Sequence, residues 1–305
     1  MTALCQSVKI DLNGYQVLIT LAKGACRVIS WYVVPMPHTS PPSIQSALAA
    51  LAGRECRGAA RALADVKDRH RGIHEARKSL RRLKSLLTLG AEPFAAQLPA
   101  LTERIGKLAV GLSPLRDAHV ALHTAQVLAG PGPSPEWQAA IHALENRRDG
   151  RLAAALTKDP RFLKRRHQIR DLGDAIEVLP WKAVTRRTIE QAIATSERRV
   201  ARAEKQVRKD SSAAKLHRWR RRARRLRMQL EFWRKVLKAT GKSAHKRSAH
   251  DKAAVHGMSR ISDALGAKQD LRALRATLRS LKAPLALDPL LERIAHELKA
   301  HRKIR

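Results

Sequence analysis

The residues with the clearest chemical meaning are two runs of histidine, arginine and lysine that share one spacing. The first run starts at His74 and the second at His217, and both follow the pattern H-x-x-R-[KR]-x-x-R-R-x-[KR]. Arginine carries a planar, permanently charged fork that holds phosphate oxygens in pairs. The repeated pattern therefore predicts two strongly cationic helices, whose chemistry suits partners that carry phosphate groups.

Each run predicts an amphipathic helix, over Ile73–Leu89 and over Leu216–Phe232, because neither copy contains glycine or proline. At about 3.6 residues per turn, the basic side chains of the first run share one face. The opposite face is apolar and carries Leu80, Leu83, Leu86 and Leu87. Each copy is thus expected to bury one side and to expose a cationic side.

A charged helix face often has no role beyond solubility. Solubility is usually served by mixed charges, however, and these two stripes contain few acids, namely Glu75 and Glu231. Like charges three and four residues apart repel, so each helix loses stability by holding them. A negatively charged partner would offset this loss, and the duplication favours this functional interpretation.

The composition points to the same class of partner. The chain has 305 residues, with 61 Lys and Arg against 26 Asp and Glu, which gives a formal net charge of +35. Such a charge favours nucleic acid, an acidic membrane leaflet or phosphates. Aromatic residues make up only 3% of the chain, which argues against the base-stacking platforms of single-strand binders. Binding to the backbone of a duplex stays open.

Residues 1–42 differ from the rest and are expected to form a poorly ordered leader and proline-rich linker. The apolar stretch Tyr15–Val34 is interrupted by Lys23, Gly24 and Arg27, so it predicts neither a membrane span nor a signal peptide. It fits a short hairpin that turns near Lys23 and Gly24. Three cysteines without metal-site spacing indicate a reducing compartment, and hence a cytoplasmic location.

From Ser43, a predicted helix cap, the pattern is helical almost to the end, and no strand pattern follows residue 42. The class predicted for the chain is therefore all-α. Its predicted second half contains the second basic helix, then a basic loop over 239–252. Helices are expected to follow over 253–265, 267–282 and 288–301.

The duplication continues beyond the basic helices. Downstream of the first copy lies a Leu112-Ser-Pro-Leu-Arg116-Asp117 element, and downstream of the second lies Leu265-Gly-Ala-Lys268-Gln269-Asp270. Two copies of a four-helix unit that point their basic helices at each other would leave a cationic channel between them. Asp117 and Asp270 are expected to orient neighbouring basic side chains or to face the positive end of a helix.

With both copies and both downstream elements in order, residues 43–303 resemble the CHAD family, the conserved histidine α-helical domain. The resemblance implies two antiparallel four-helix bundles related by an internal pseudo-two-fold, with a basic central pore or groove. The halves would span about 43–172 and 181–303. It also implies that the chain binds inorganic polyphosphate and associates with polyphosphate granules. Ser113 replaces the usual glycine, and Gln269 stands where the first half has Arg116.

The resemblance and the shared pattern together give the candidate polyphosphate-binding residues. Direct contacts are expected above all from Arg77, Arg81, Arg220 and Arg224. His74 and His217 either stabilise their helices or donate to phosphate, in which case binding should tighten as the pH falls. The full set is His74, Arg77, Lys78, Arg81, Arg82, Lys84, Arg116, His217, Arg220, Arg221, Arg224, Arg225, Arg227 and Lys268.

An enzyme is not expected from this sequence. It contains neither a Walker-type glycine loop nor a G-x-S-x-G motif, and no close carboxylate pair that would organise Mg²⁺. His245, His250 and His256 have irregular spacing and fit a basic loop better than a metal site. No catalytic residue, metal or cofactor is therefore predicted. The alternative function is non-specific binding to the backbone of duplex nucleic acid.

Overall fold

The computed structural model describes residues 6–12, 15–21, 28–35, 41–210, 212–241, 245–281 and 285–300. Side chains are described from residue 41 onward, except those of 245–252, 254 and 261. The chain divides into two compact units, Met1–Pro41 and Pro42–Arg305. The sequence predicted this boundary after residue 42, which is one residue later than the structure has it.

The first unit is a three-stranded antiparallel sheet in the order β1-β2-β3, with β1 at Gln6–Leu12, β2 at Tyr15–Leu21 and β3 at Val28–Pro35. The pairing of β2 with β3 confirms the predicted hairpin, whose turn lies outside the described residues. β1 was not predicted, and regular strands occur where we expected poor order. Apolar and polar residues alternate along β1, which is the pattern of a strand.

The second unit is built from helices in every described element, which confirms the all-α class for this part of the chain. Three short 3₁₀ turns connect some of them. The helices are α1 Ile44–Ala64, α2 Arg69–Leu87, α3 Leu98–Gly111, α4 Ser113–Ala129, α5 Pro135–Lys158, α6 Leu163–Glu177, α7 Arg186–Lys209, α8 Ala213–Ala239, α9 His245–Arg279 and α10 Leu287–Ala300.

Local sequence explains where the first helices begin. The Ser43 side chain accepts a hydrogen bond from the Ser46 amide at 3.1 Å, so the predicted cap of α1 is confirmed. The Asp68 carboxylate caps α2 in the same way, accepting from the Arg71 amide at 2.9 Å. The two basic runs lie within α2 and α8, as predicted, and bury their leucine faces.

Two buried clusters hold the helical unit together, and neither belongs to one half of the repeat. The larger cluster joins α1, α2, α3, the start of α4, α6, α7 and α8. The smaller cluster joins the later part of α4 and the first part of α5 to α9 and α10. The expected arrangement of two antiparallel four-helix bundles related by an internal pseudo-two-fold is therefore not confirmed. Each half buries part of its apolar surface against helices of the other half.

The end of the chain also differs from the sequence prediction, because α9 runs without interruption over 35 residues. Helix α9 begins at residue 245, inside the segment 239–252 that was predicted to be a loop. It also continues through Gly266, where a break between two helices was predicted. An added Cβ at Gly266 would lie 2.5 Å from Arg220 Nη2. The glycine therefore permits a close approach of α8 to α9 and does not end the helix.

Candidate functional site

Six arginines from three helices meet where α2 and α8 pack together. Each of them either lowers the pKa of another member or has its own pKa lowered by other members, so their guanidinium groups lie close together. This central arginine cluster consists of Arg77 and Arg81 on α2, Arg116 on α4, and Arg220, Arg224 and Arg227 on α8. The two repeated helices thus bring their basic faces together, as the sequence predicted.

Arg81 and Arg224 occupy the middle of the central arginine cluster. Burial is the largest cause that lowers the pKa of Arg81 to about 10, and Arg77, Arg116 and Arg220 lower it further. The pKa of Arg224 is also lowered to about 10, first by burial and then by Arg220 and Arg81. Both groups stay charged at neutral pH, so the site holds concentrated positive charge away from water.

These two guanidinium groups lack the carboxylates that normally accompany buried charge. Within residues 41–300 that the structure describes, neither Arg81 nor Arg224 forms an ion pair. Arg81 Nε is buried without a hydrogen-bond partner, and Arg224 Nε has only a long contact, 3.4 Å, to Ser262 Oγ. Burying a charge without a partner costs several kcal/mol, about 3 in typical cases. An anion bound between the helices would remove this cost.

Arg77 is held by the junction of α3 and α4. Its Nη1 donates to the Ala109 carbonyl and, at 2.8 Å, to Ser113 Oγ. Asp117 raises the pKa of Arg77, whereas burial, the largest cause, lowers it. These contacts fix one edge of the cluster while leaving Arg77 Nε buried and without a partner.

Arg220 is anchored at the equivalent place in the second half. Its Nε donates to the Ser262 carbonyl at 3.0 Å, and its guanidinium lies against Gly266. Ser262 precedes Gly266 by four residues, just as Ala109 precedes Ser113. Ser113 stands where the second half has Gly266, and the two residues act differently. The Ser113 hydroxyl accepts a hydrogen bond from Arg77, whereas Gly266 leaves room for the guanidinium of Arg220.

The acidic residues downstream of the basic helices orient arginines, as predicted. Arg116 Nη1 lies 3.2 Å from Asp117 Oδ1, and Arg116 Nη2 lies 3.5 Å from Asp270 Oδ1. The second contact joins α4 of the first half to α9 of the second. Asp270 also raises the pKa of Arg220, although burial lowers it more strongly.

The two halves are not equal at the position that holds Arg116 in one and Gln269 in the other. Gln269 Oε1 accepts from Arg220 Nη1 at 2.7 Å and lies 3.2 Å from His217 Nδ1. A neutral amide thus satisfies Arg220 in the second half. The first half instead contributes the Arg116 cation to the central arginine cluster.

The two motif histidines have different surroundings. The His74 side chain is exposed overall, but its partial burial is the largest cause that lowers its pKa. Arg81, Lys78 and Arg116 lower this pKa further, against an opposing effect of Glu75. His217 lines a cavity of about 180 Å³ between α8 and α9, together with Arg220, Lys268 and Gln269. The predicted Lys268 is thus brought to the same cavity as His217 and Arg220.

The motif placed Arg82 among the predicted phosphate-binding residues, and the structure holds it in a network of ion pairs. Its Nε lies 2.8 Å from Glu55 Oε1 and its Nη1 lies 2.8 Å from Glu231 Oε2. The guanidinium also lies 4.6 Å from the centre of the Phe232 ring. The guanidinium of Arg82 therefore joins α1, α2 and α8, and two acids balance its charge.

Lys78 and Arg227 are partly neutralised within their own helices. Lys78 Nζ lies 3.2 Å from Glu75 Oε2 on the exposed surface of α2. Arg227 Nε lies 3.6 Å from Glu231 Oε1, and its Nη1 donates to Ser259 Oγ at 2.8 Å. Arg227 remains at the edge of the cluster, while Lys78 lies outside it.

Lys84, Arg221 and Arg225 were predicted in the same site but form a second group. The pKa of Lys84 is lowered by burial and then by Arg225 and Arg221. The pKa of Arg225 is lowered by burial and then by Arg199, Arg221 and Arg222. Arg199 and Arg222 were missed, because their positions fall outside the repeated pattern and only the packing of α7 on α8 brings them together.

In the described part of the chain, no group of three or more His, Cys, Asp or Glu residues is arranged to hold a metal ion. His256 is exposed on α9, and the side chains of His245 and His250 lie outside the described set. No described helix is both long and apolar enough to cross a membrane.

Fold and site together define a helical unit in which two copies of a basic helix meet at a cluster of arginines, and the described residues provide no acid partner for Arg81 and Arg224. The chain belongs to the CHAD family, whose CHAD domain pattern matches residues 44–279. The crystal structure of the CHAD domain from the plant Ricinus communis is similar, with a TM-score of 0.63 and 21% sequence identity. The similarity covers 87% of this chain and 89% of the plant domain. No curated protein matches the chain.

Proposed function

We propose that this protein binds inorganic polyphosphate in the central arginine cluster. The observation that carries the proposal is the pair Arg81 and Arg224, two half-buried guanidinium groups without a carboxylate among the described residues. A polyphosphate chain supplies negative oxygens in a flexible row and has no bases that would need recognition. Its flexibility lets successive phosphates follow the half-buried arginines of two adjacent helices, which a rigid duplex does less readily.

The anchoring of the cluster supports this proposal. Arg77 and Arg220 are fixed by backbone carbonyls of α3 and α9, and Arg116 is held between Asp117 and Asp270. Donors that are positioned before the ligand arrives lose little entropy on binding. Charge-assisted hydrogen bonds and the release of condensed counterions would supply the affinity.

We further propose that the protein is a binding module and not an enzyme. Asp117 and Asp270, the acids of the two elements downstream of the basic helices, both pair with Arg116. Neither is therefore arranged as a free base toward a bound phosphate chain. Long polyphosphate should accordingly be recovered intact after prolonged incubation with the protein, as judged by gel electrophoresis; shortened chains would contradict this part of the proposal.

Competition tests the choice of ligand. The protein is loaded with fluorescent duplex DNA at moderate salt and titrated with long-chain polyphosphate at equal phosphate concentration. We expect polyphosphate to displace the DNA, because a flexible chain adapts its phosphates to the half-buried Arg81 and Arg224 better than a rigid duplex does. DNA that stays bound would favour the duplex-binding alternative and overturn the proposal.

Cellular location offers a second test. A protein that binds polyphosphate through this cluster should concentrate on polyphosphate granules, and an Arg81→Ala/Arg224→Ala variant should not. Equal granule association of the wild type and this variant would show that recruitment does not depend on the central arginine cluster.

A further inference from the structure

A second group of arginines lies where α7 packs on α8. On α8, the spacing of three, four and seven residues brings its members to one side of the helix. On α7, Arg199 and Arg202 are exposed next to the buried positions Val200 and Ala203. This α7–α8 arginine surface consists of Arg199, Arg202, Arg218, Arg221, Arg222 and Arg225.

A direct contact joins the two sides of this surface. Arg222 Nη1 donates to the backbone carbonyl of Arg199 at 3.0 Å. The bond fixes the α8 arginines beside the α7 arginines, although their like charges repel. Burial and the neighbouring Arg218, Arg199 and Arg202 lower the pKa of Arg222. The arrangement therefore concentrates positive charge at a cost to the fold.

Acids do not offset this charge. None of the six arginines forms an ion pair with an acid in the described part of the chain. The glutamates of α7, Glu190, Glu197 and Glu204, recur every seven residues and run along the other flank of its buried face. Arg186 and Arg208, by contrast, each pair with one of these glutamates. The α7–α8 arginine surface is thus kept free of acids, while the rest of α7 has mixed charges.

Lys84 connects this surface to the central arginine cluster. It follows Arg81 by three residues on α2, so the two side chains are neighbours on one face of the helix. Its Nζ lies 3.4 Å from the Thr102 carbonyl of α3, and Arg225 and Arg221 lie close enough to lower its pKa. Cations therefore continue from Arg81 through Lys84 to α8 and α7.

We propose that the α7–α8 arginine surface binds the part of a polyphosphate chain that extends out of the central arginine cluster. This inference rests on the proposed function and adds a dependence on chain length. A short phosphate chain would fill the central arginine cluster alone. A long chain would continue past Lys84, neutralise the second group and release more counterions.

The test compares tripolyphosphate with long-chain polyphosphate by isothermal titration. The variant Arg199→Gln/Arg202→Gln/Arg218→Gln removes three exposed charges from the surface. The control Arg186→Gln/Arg198→Gln/Arg208→Gln removes three exposed charges elsewhere on α7. We expect the first variant to bind long chains about tenfold more weakly while its affinity for tripolyphosphate is unchanged. The control should keep most of its affinity for both.

Three outcomes would overturn the inference. Equal weakening of long-chain binding in both variants would show a general effect of net charge. Unchanged long-chain binding in the first variant would show that the surface does not touch the chain. If the first variant lost duplex DNA and not long polyphosphate, the surface would be a nucleic-acid site. Failure of the proposed function looks different, because the wild type itself would then bind neither tripolyphosphate nor long chains.

Discussion

Arg81 of α2 and Arg224 of α8 hold the same position in the two copies of the motif, and Arg81 lies close enough to lower the pKa of Arg224. Both are half-buried, and both have a pKa lowered to about 10, mainly by burial. A fold that keeps two such cations side by side is less stable than it would be without them. The effect of these two charges on the free energy of unfolding can therefore be measured in the absence of any ligand.

The first prediction concerns stability without phosphate. Arg81→Met keeps most of the volume of the side chain and removes one buried, unpaired charge. We expect the free energy of unfolding in urea to rise by about 1 kcal/mol. Arg208→Met removes an exposed, paired charge and should change it little. A less stable Arg81→Met protein would show that Arg81 has a stabilising partner in the apo protein.

The second prediction has the opposite sign and concerns Arg82. Arg82→Ala leaves Glu55 and Glu231 partly buried without their partner, so we expect the free energy of unfolding to fall by about 3 kcal/mol. Adding Glu55→Gln and Glu231→Gln to Arg82→Met should recover part of this loss. A stable Arg82→Ala protein with weakened polyphosphate binding would show that Arg82 takes part in binding and not in the stability of the fold.

The third prediction concerns the pH dependence of binding. In the free protein the pKa of His74 lies below its ordinary value of 6.5, because of burial and the nearby Arg81 and Lys78. Bound phosphates favour the charged imidazole and raise this pKa. Affinity should therefore rise as the pH falls through the raised pKa, and the rise should end below the pKa of the free protein.

The His74→Gln variant provides the control for this measurement. Titrations of long-chain polyphosphate at a series of pH values give the affinity of each protein. The difference between the two removes any effect of protonation of the phosphates themselves. Parallel pH profiles of the wild type and His74→Gln would mean that His74 has only a structural role.

The fourth prediction concerns the stacked rings of His70 and His119, whose centroids are 5.0 Å apart with an angle of 7° between the planes. Burial lowers the pKa of both below 6.5. His119 and Arg148 lower the pKa of His70 further. Arg148 and His123 lower the pKa of His119 further. Asp149 and Asp68 raise the pKa of His70. Asp68 also raises the pKa of His119, whereas Arg116 lowers it.

The sign of the resulting effect follows from proton linkage. As the pH falls, the unfolded chain takes up protons on these histidines near pH 6.5, before the folded protein does. The free energy of unfolding is therefore highest above that pH and decreases as the pH drops toward the lowered pKa values. The melting temperature should therefore decrease over this range, and His119→Phe should weaken the decrease. An equally steep decrease in His119→Phe would assign it to other groups.

The local features of this fold could be predicted from the sequence. The leucine spacing gave both basic helices, and Ser43 marked the start of α1 because a cap is a local interaction. The meeting of the two basic faces also followed, because the same motif occurs twice. The helices and the cap depend on residues within a few turns of each other, whereas the meeting of the faces followed from the duplication.

The remaining features depend on distant partners. Arg82 was placed in the site because the motif cannot show that Glu231, in another helix, neutralises it. Gly266 resembled a helix end because the sequence does not reveal that Arg220 lies against it. The shared clusters were missed for the same reason, since the burial of a helix face depends on which helix covers it.

The charge of Arg81 and Arg224 provides the most direct test of the central claim. The Arg81→Ala/Arg224→Ala variant is titrated with long-chain polyphosphate at several salt concentrations, beside the matched control Arg198→Ala/Arg208→Ala. We expect the first to lose about a hundredfold in affinity, or about tenfold per arginine, and to show a shallower dependence on salt. The control should bind nearly as the wild type does. Equal affinities of the two variants would contradict binding in the central arginine cluster.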